Sequence, residues 1–122
     1  MAFRPLEWDA LGNHLAETGT TEAERRTAVG RLYYAMFGES LLALARNGLL
    51  VPREDGTDHV QVLRALTENK RGSASIALDN LRRLRNTADY DYRDEVTATS
   101  VDRARALAEN VKRLCSADWE SP

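Results

Sequence analysis

Apolar residues recur along this chain at intervals of three and four, the spacing that keeps one face of an α-helix dry, and almost nowhere in the alternation of a strand. Leu6, Ala10 and Leu15, with Trp8 and Leu11 beside them, predict a short first helix to about Thr18, ended by Gly19. Thr21 followed by Glu24 reads as a capping box, in which hydroxyl and carboxylate answer each other's orphan amide donors. From there Val29, Leu32, Tyr33, Met36, Phe37, Leu41 and Leu44 predict a long second helix to about Arg46, with Asn47-Gly48 as its stop. Pro52, Glu54, Asp55 and Gly56 mark a loop. Thr57 or Asp58 can cap a third helix carrying Val60, Leu63 and Leu66 and fading between Asn69 and Gly72. A fourth starts near Ser73 or Ser75. Ser100 then caps a last helix striped by Val101, Ala104, Leu107, Ala108, Val111 and Leu114. The pattern predicts an all-α, up-and-down bundle of four long helices plus a short one, with residues 1–122 as a single domain.

Composition narrows the function classes. A length of 122 residues suffices to bury roughly two-thirds of the unfolded surface without staples. The net charge of −2 argues against a protein held on nucleic acid by bulk electrostatics, though not against a local basic patch. Cys115, the one cysteine, cannot form an internal disulfide, so nothing in the chain implies an oxidising compartment. No run approaches the roughly 20 apolar residues of a membrane span, and Arg4, Glu7 and Asp9 break any signal-peptide layout. A cytoplasmic protein is the expectation, with no membrane partner.

The chemistry concentrates in Leu84-Arg85-Asn86-Thr87-Ala88-Asp89-Tyr90-Asp91-Tyr92, at the end of the fourth helix. On a helix, Leu78, Arg82, Arg85, Asp89 and Tyr92 line one face, while Ala77, Leu81, Leu84 and Ala88 form an apolar stripe beside it. The polar stripe is richer than solubility requires. Its plain reading is an i, i+4 salt bridge between Arg85 and Asp89, with Tyr90 and Tyr92 walling the bundle. In the second helix Gly30, Tyr34 and Gly38 share a face. Two helical glycines, each costing about 1 kcal/mol against alanine, point to close helix approach or a partner contact.

The YYAxF run at Tyr33–Phe37, paired with the R-N-x-x-D-Y segment at Arg85–Tyr90, resembles the HEPN domains, small α-helical bundles. The resemblance covers roughly Thr21 to Leu114. It implies a motif R-N-x-x-x-H-x-Y and a homodimer in which two such motifs share a cleft and cut RNA with no metal or other cofactor. By position, Arg85 matches the arginine, Asn86 the polar residue after it and Tyr92 the final tyrosine. Tyr90 stands where the histidine belongs. Arginine suits phosphate through its permanently charged bidentate fork. Histidine, titrating near about 6.5, suits transfer of the 2′-hydroxyl proton, whereas tyrosine titrates near about 10. His59, opening the third helix, is the histidine placed to swing toward a cleft, and His14 has no obvious company.

The resemblance therefore implies Arg85, Asn86, Tyr90 and Tyr92 as the working residues, with Arg82, Asp89, Tyr34 and His59 as substrate-binding neighbours. Arg25, Arg26, Arg31, Lys70, Arg71 and Arg83 are further candidates for RNA phosphates. Three functions stay open. One is an RNA-cleaving toxin or defence protein. The second is a non-catalytic module binding RNA, nucleotide or a protein partner. The third is a structural subunit of a larger assembly. The first carries an implied partner, a nucleotidyltransferase that modifies the motif tyrosine, here Tyr92; a defence-complex protein is the other partner expected.

Overall fold

A computed structural model describes residues 3–53 and 55–115, so Glu54 of the expected loop lies outside the described residues. Five helices follow one another: α1 (Leu6–Thr18), α2 (Glu22–Arg46), α3 (Asp58–Glu68), α4 (Gly72–Tyr90) and α5 (Ala98–Cys115). No strand occurs among the described residues. The chain is an all-α bundle, as the periodicity predicts. Three helices are long, however, and α3, at 11 residues, is shorter than α1, at 13.

Local signals set most boundaries. Thr21 accepts from the Glu24 amide at 3.1 Å, and the Glu24 carboxylate accepts from the Thr21 amide at 3.1 Å, so the capping box that opens α2 is complete. Gly48, at φ +70°, turns the chain after Arg46, as only a residue without Cβ does readily. Two expected caps differ. Thr57 turns its hydroxyl back to Asp55 instead of capping α3. At α5 the amide of Ser100 donates to Thr97 Oγ1 at 3.2 Å, so Thr97 is the residue answering the first turn.

α2 packs against all four other helices and carries the centre of the core. Leu32, Met36 and Leu44 from α2 meet Val62 and Leu66 from α3, Leu78 and Leu81 from α4 and Val111 from α5, all fully buried. Two assignments of faces are corrected. Leu78 belongs to the core and not to the polar stripe, and in α3 Val62 is buried while Val60 is exposed. Both follow from helix geometry: Ala74, Leu78 and Leu81 lie on one line, as do Val62, Ala65 and Leu66. α1 docks through a close approach and polar ties. A Cβ on Gly12 would lie 2.9 Å from Leu32 Cγ, while buried Asp9 pairs with Lys112 at 3.2 Å. Gly38 answers the question raised by the α2 glycines, since its missing Cβ would lie 2.7 Å from Pro5 Cγ. No helix among the described residues is long and apolar enough to cross a membrane.

Candidate functional site

The polar stripe of α4 faces the tyrosines of α2, and Arg85 is at the centre of the contact. Its guanidinium carbon lies 4.9 Å from the Tyr33 ring centre, 5.5 Å from Tyr34 and 5.9 Å from Tyr90. Rings with an electron-rich face attract a cation in this way. Asp89 stands 3.9 Å from Arg85, a long ion pair. Arg85 Nε is buried and has no hydrogen-bond partner among the described residues. The approach of α4 to α2 does not need Gly30, since a Cβ there would sit 3.5 Å from Asp89 Oδ1, ordinary contact distance.

Arg26 shows what a structural arginine looks like in the same bundle. It is as buried as Arg85, each side chain 16% exposed. Arg26 Nη1 donates to the carbonyls of Thr87, Ala88 and Asp91 at 2.9–3.1 Å, and Nη2 to that of Asp94 at 2.7 Å. Nε donates to Glu22 at 2.8 Å. The Thr87 carbonyl also accepts from the Asp91 amide at 3.0 Å, but the others lie at the end of α4 and in the turn after it, so Arg26 is a helix C-cap supplied by another helix. Arg25 likewise donates to the Val96 carbonyl at 2.7 Å. Neither is a phosphate ligand in waiting, which removes both from the expected basic set.

A second group joins the cluster through Tyr33. Its hydroxyl lies 2.8 Å from His59 Nδ1, bringing α3 to the site across 26 residues of sequence. Asp79 sits 3.9 Å from His59 Nε2 and also pairs with Arg82 at 3.1 Å and Arg83 at 3.3 Å. Burial lowers the His59 pKa, helped by the charge of Arg82, while Asp79 opposes the shift. Burial likewise pushes Tyr33 up to about 12 against the pull of Arg85. A neutral imidazole with its proton on Nε2, toward Asp79, accepts from the Tyr33 hydroxyl at Nδ1. Both ring nitrogens thus face inward, and Nε2 is buried.

The structure divides the expected residues into two adjoining groups. Arg85, Asp89, Tyr34 and Tyr90 surround one another, with Arg82 and His59 linked to them through Asp79 and Tyr33. Asn86 and Tyr92 instead line a shallow surface depression with Thr87, Tyr90, Asp91 and Arg93, so Tyr90 borders both groups. Tyr92 is not on the helical face of Arg85: α4 ends at Tyr90, and Tyr92, 82% exposed, lies 5.9 Å from Arg26 across its ring. Tyr90, at the histidine position, is 69% exposed. Sequence reasoning missed Tyr33 and Asp79. Asp79 had a readable signal in its i, i+3 and i, i+4 spacing to Arg82 and Arg83; the Tyr33–His59 pairing had none.

Chemically, the cluster offers a pre-ordered guanidinium among flat rings, which suits an oxyanion with planar neighbours. Among the described residues no group of three or more His, Cys, Asp or Glu is placed to hold a metal ion. No protein-family model, no curated protein and no solved structure matches the chain.

Proposed function

We propose that this chain is a HEPN-type RNA-binding module that holds a single strand by a phosphate at Arg85, as a homodimer whose two Arg85 sites face one cleft. The contrast between two equally buried arginines carries the reading. Arg26 satisfies its donors on the fold, whereas Arg85 has a buried Nε without a partner and one long ion pair. Nε itself is shielded, so an acceptor from outside would meet the terminal nitrogens, whose ion pair with Asp89 is long. Phosphate oxygens match its fork, and the neighbouring tyrosines offer faces for bases. A local site of this kind also accommodates the net charge of −2.

The test uses labelled single-stranded RNA in the presence of a chelator, on native and denaturing gels. The unaltered chain is expected to shift intact RNA and Arg85→Ala to lose the shift; no shift by the unaltered chain overturns the proposal. One observation favours a second reading, metal-independent cleavage. His59, kept neutral by burial, reaches Arg85 through Tyr33 and stands in the same cluster. Cleavage would have the 2′-hydroxyl give its proton to a base and attack the adjacent phosphorus, the P–O5′ bond breaking as the 5′-oxygen takes up a proton, which leaves a 2′,3′-cyclic phosphate. Chelator-resistant fragments with such ends, absent from both Arg85→Ala and His59→Gln, would establish it. The exposed hydroxyl of Tyr92 suits modification by a partner nucleotidyltransferase, which incubation with that enzyme and labelled nucleotide would reveal.

A further inference from the structure

A cavity beside the Arg85 cluster has no role in the binding described so far. Phe3, Pro5, Trp8, Arg31, Tyr34 and Gly38 line it, and its volume is about 450 Å³. That is within the range of small-molecule sites. The start of α1 and the middle of α2 form its walls, brought together where Pro5 seats against Gly38.

Its lining combines aromatic rings with a cation. Phe3 and Trp8 stand with ring centres 5.0 Å apart at 55°. The Arg31 guanidinium carbon lies 4.7 Å from the Trp8 ring centre and 5.8 Å from that of Tyr34. Arg31 has these two rings, and no ion pair among the described residues, to hold it. Tyr34 is shared, because Arg85 approaches the same ring at 5.5 Å. One tyrosine therefore has a guanidinium in the cavity and another in the phosphate site.

We propose that this cavity binds one base of a single RNA strand while Arg85 holds a neighbouring phosphate. The proposal rests on the RNA-binding reading. Flat ring faces take any base by stacking, and a guanidinium adds donors for the carbonyl oxygens and ring nitrogens of base edges. An aliphatic side chain of a second copy would gain nothing from Arg31, whereas a base uses both the rings and the cation. The shared Tyr34 sets base and phosphate side by side, as they are along a strand.

The experiment compares fluorescence anisotropy of labelled oligo(A) with that of an abasic strand of equal length, for the unaltered chain, Trp8→Leu, Arg31→Gln and Arg85→Ala. Trp8→Leu keeps an apolar side chain against the core, and Arg31→Gln keeps a polar side chain beside Trp8 while removing the charge. Circular dichroism checks that each is folded. The unaltered chain is expected to prefer oligo(A) by roughly fivefold or more. Trp8→Leu should erase that preference and leave abasic binding unchanged; Arg31→Gln should erase it while weakening the abasic probe by less than about threefold, the loss of one charge; Arg85→Ala weakens both probes about tenfold. No binding of either strand by the unaltered chain overturns the RNA reading and the base site together. Binding that needs Arg85 but shows no base preference overturns the base site alone. So does a Trp8→Leu chain that changes from dimer to monomer with its preference intact, which makes the cavity a contact between copies.

Discussion

Arg26 and Arg85 are equally buried and differ in what they hold, so replacing each by methionine separates fold from function. Methionine keeps most of the stem and removes every donor. For Arg26 the loss is four carbonyl acceptors and the Glu22 pair, all within 3.1 Å. A hydrogen bond to a charged group is worth about 1.5–3 kcal/mol net. Several of these sit near solvent and share one side chain, so the sum falls well short of additivity. Arg26→Met is expected to cost about 2–4 kcal/mol. For Arg85 the loss is a 3.9 Å ion pair, worth about 0–1 kcal/mol, and ring contacts at a part-exposed site of about 0.5–1 kcal/mol. Sulfur contacts of the new methionine with the same tyrosines return about as much. The net cost of Arg85→Met is therefore under about 1 kcal/mol. Urea denaturation at neutral pH, followed by circular dichroism, measures both. An Arg85→Met chain as destabilised as Arg26→Met would refute the reasoning, because Arg85 would then be a structural residue.

Other outcomes follow from the same contacts. Thr21→Ala removes the acceptor for the Glu24 amide and should cost about 1 kcal/mol in urea denaturation. Gly38→Ala should destabilise the chain, since its Cβ meets Pro5 at 2.7 Å, whereas Gly30→Ala, with its nearest neighbour at 3.5 Å, should gain up to about 1 kcal/mol of helix propensity; thermal melts of the pair give the two signs. His59 is depressed by burial below its ordinary value of about 6.5, so the unfolded chain binds the proton first as pH falls. Its contribution is therefore present above about 6.5 and declines as pH drops toward the folded value. Stability measured against pH should lose that part of its slope in His59→Gln; an unchanged slope would contradict the burial argument.

Contacts between near neighbours in sequence were legible, and contacts between distant ones were not. The Thr21–Glu24 box, the Asn47-Gly48 stop and the stripes of α2 and α5 each involve residues within a turn or two, and all are present as read. Leu78 was misplaced because the apolar stripe of α4 is broad, and one residue on its margin can be assigned to either side. Thr97 was overlooked because Thr and Ser three apart both look like caps. In the site, the polar content of Arg82–Tyr92 stood out at once. Its partners did not, since Tyr33 meets His59 across 26 residues and Arg26 reaches carbonyls 61 to 68 residues away. Such pairings depend on how α2, α3 and α4 pack, which periodicity along one helix does not encode. Arg26 shows the consequence: as a sequence feature it was one more basic residue, and in the fold it is the cap of α4.

The most direct test of an arginine held ready for phosphate is single-stranded RNA affinity, measured by anisotropy at fixed salt, for Arg85→Ala beside Arg83→Ala. Arg83 lies on the same helix, carries the same charge and is 72% exposed, so the pair separates a built site from bulk electrostatics. Arg85→Ala should weaken binding about tenfold or more, the loss of a charge-assisted contact, and Arg83→Ala by less than about threefold. Equal losses, or a loss confined to Arg83→Ala, would contradict a phosphate site at Arg85.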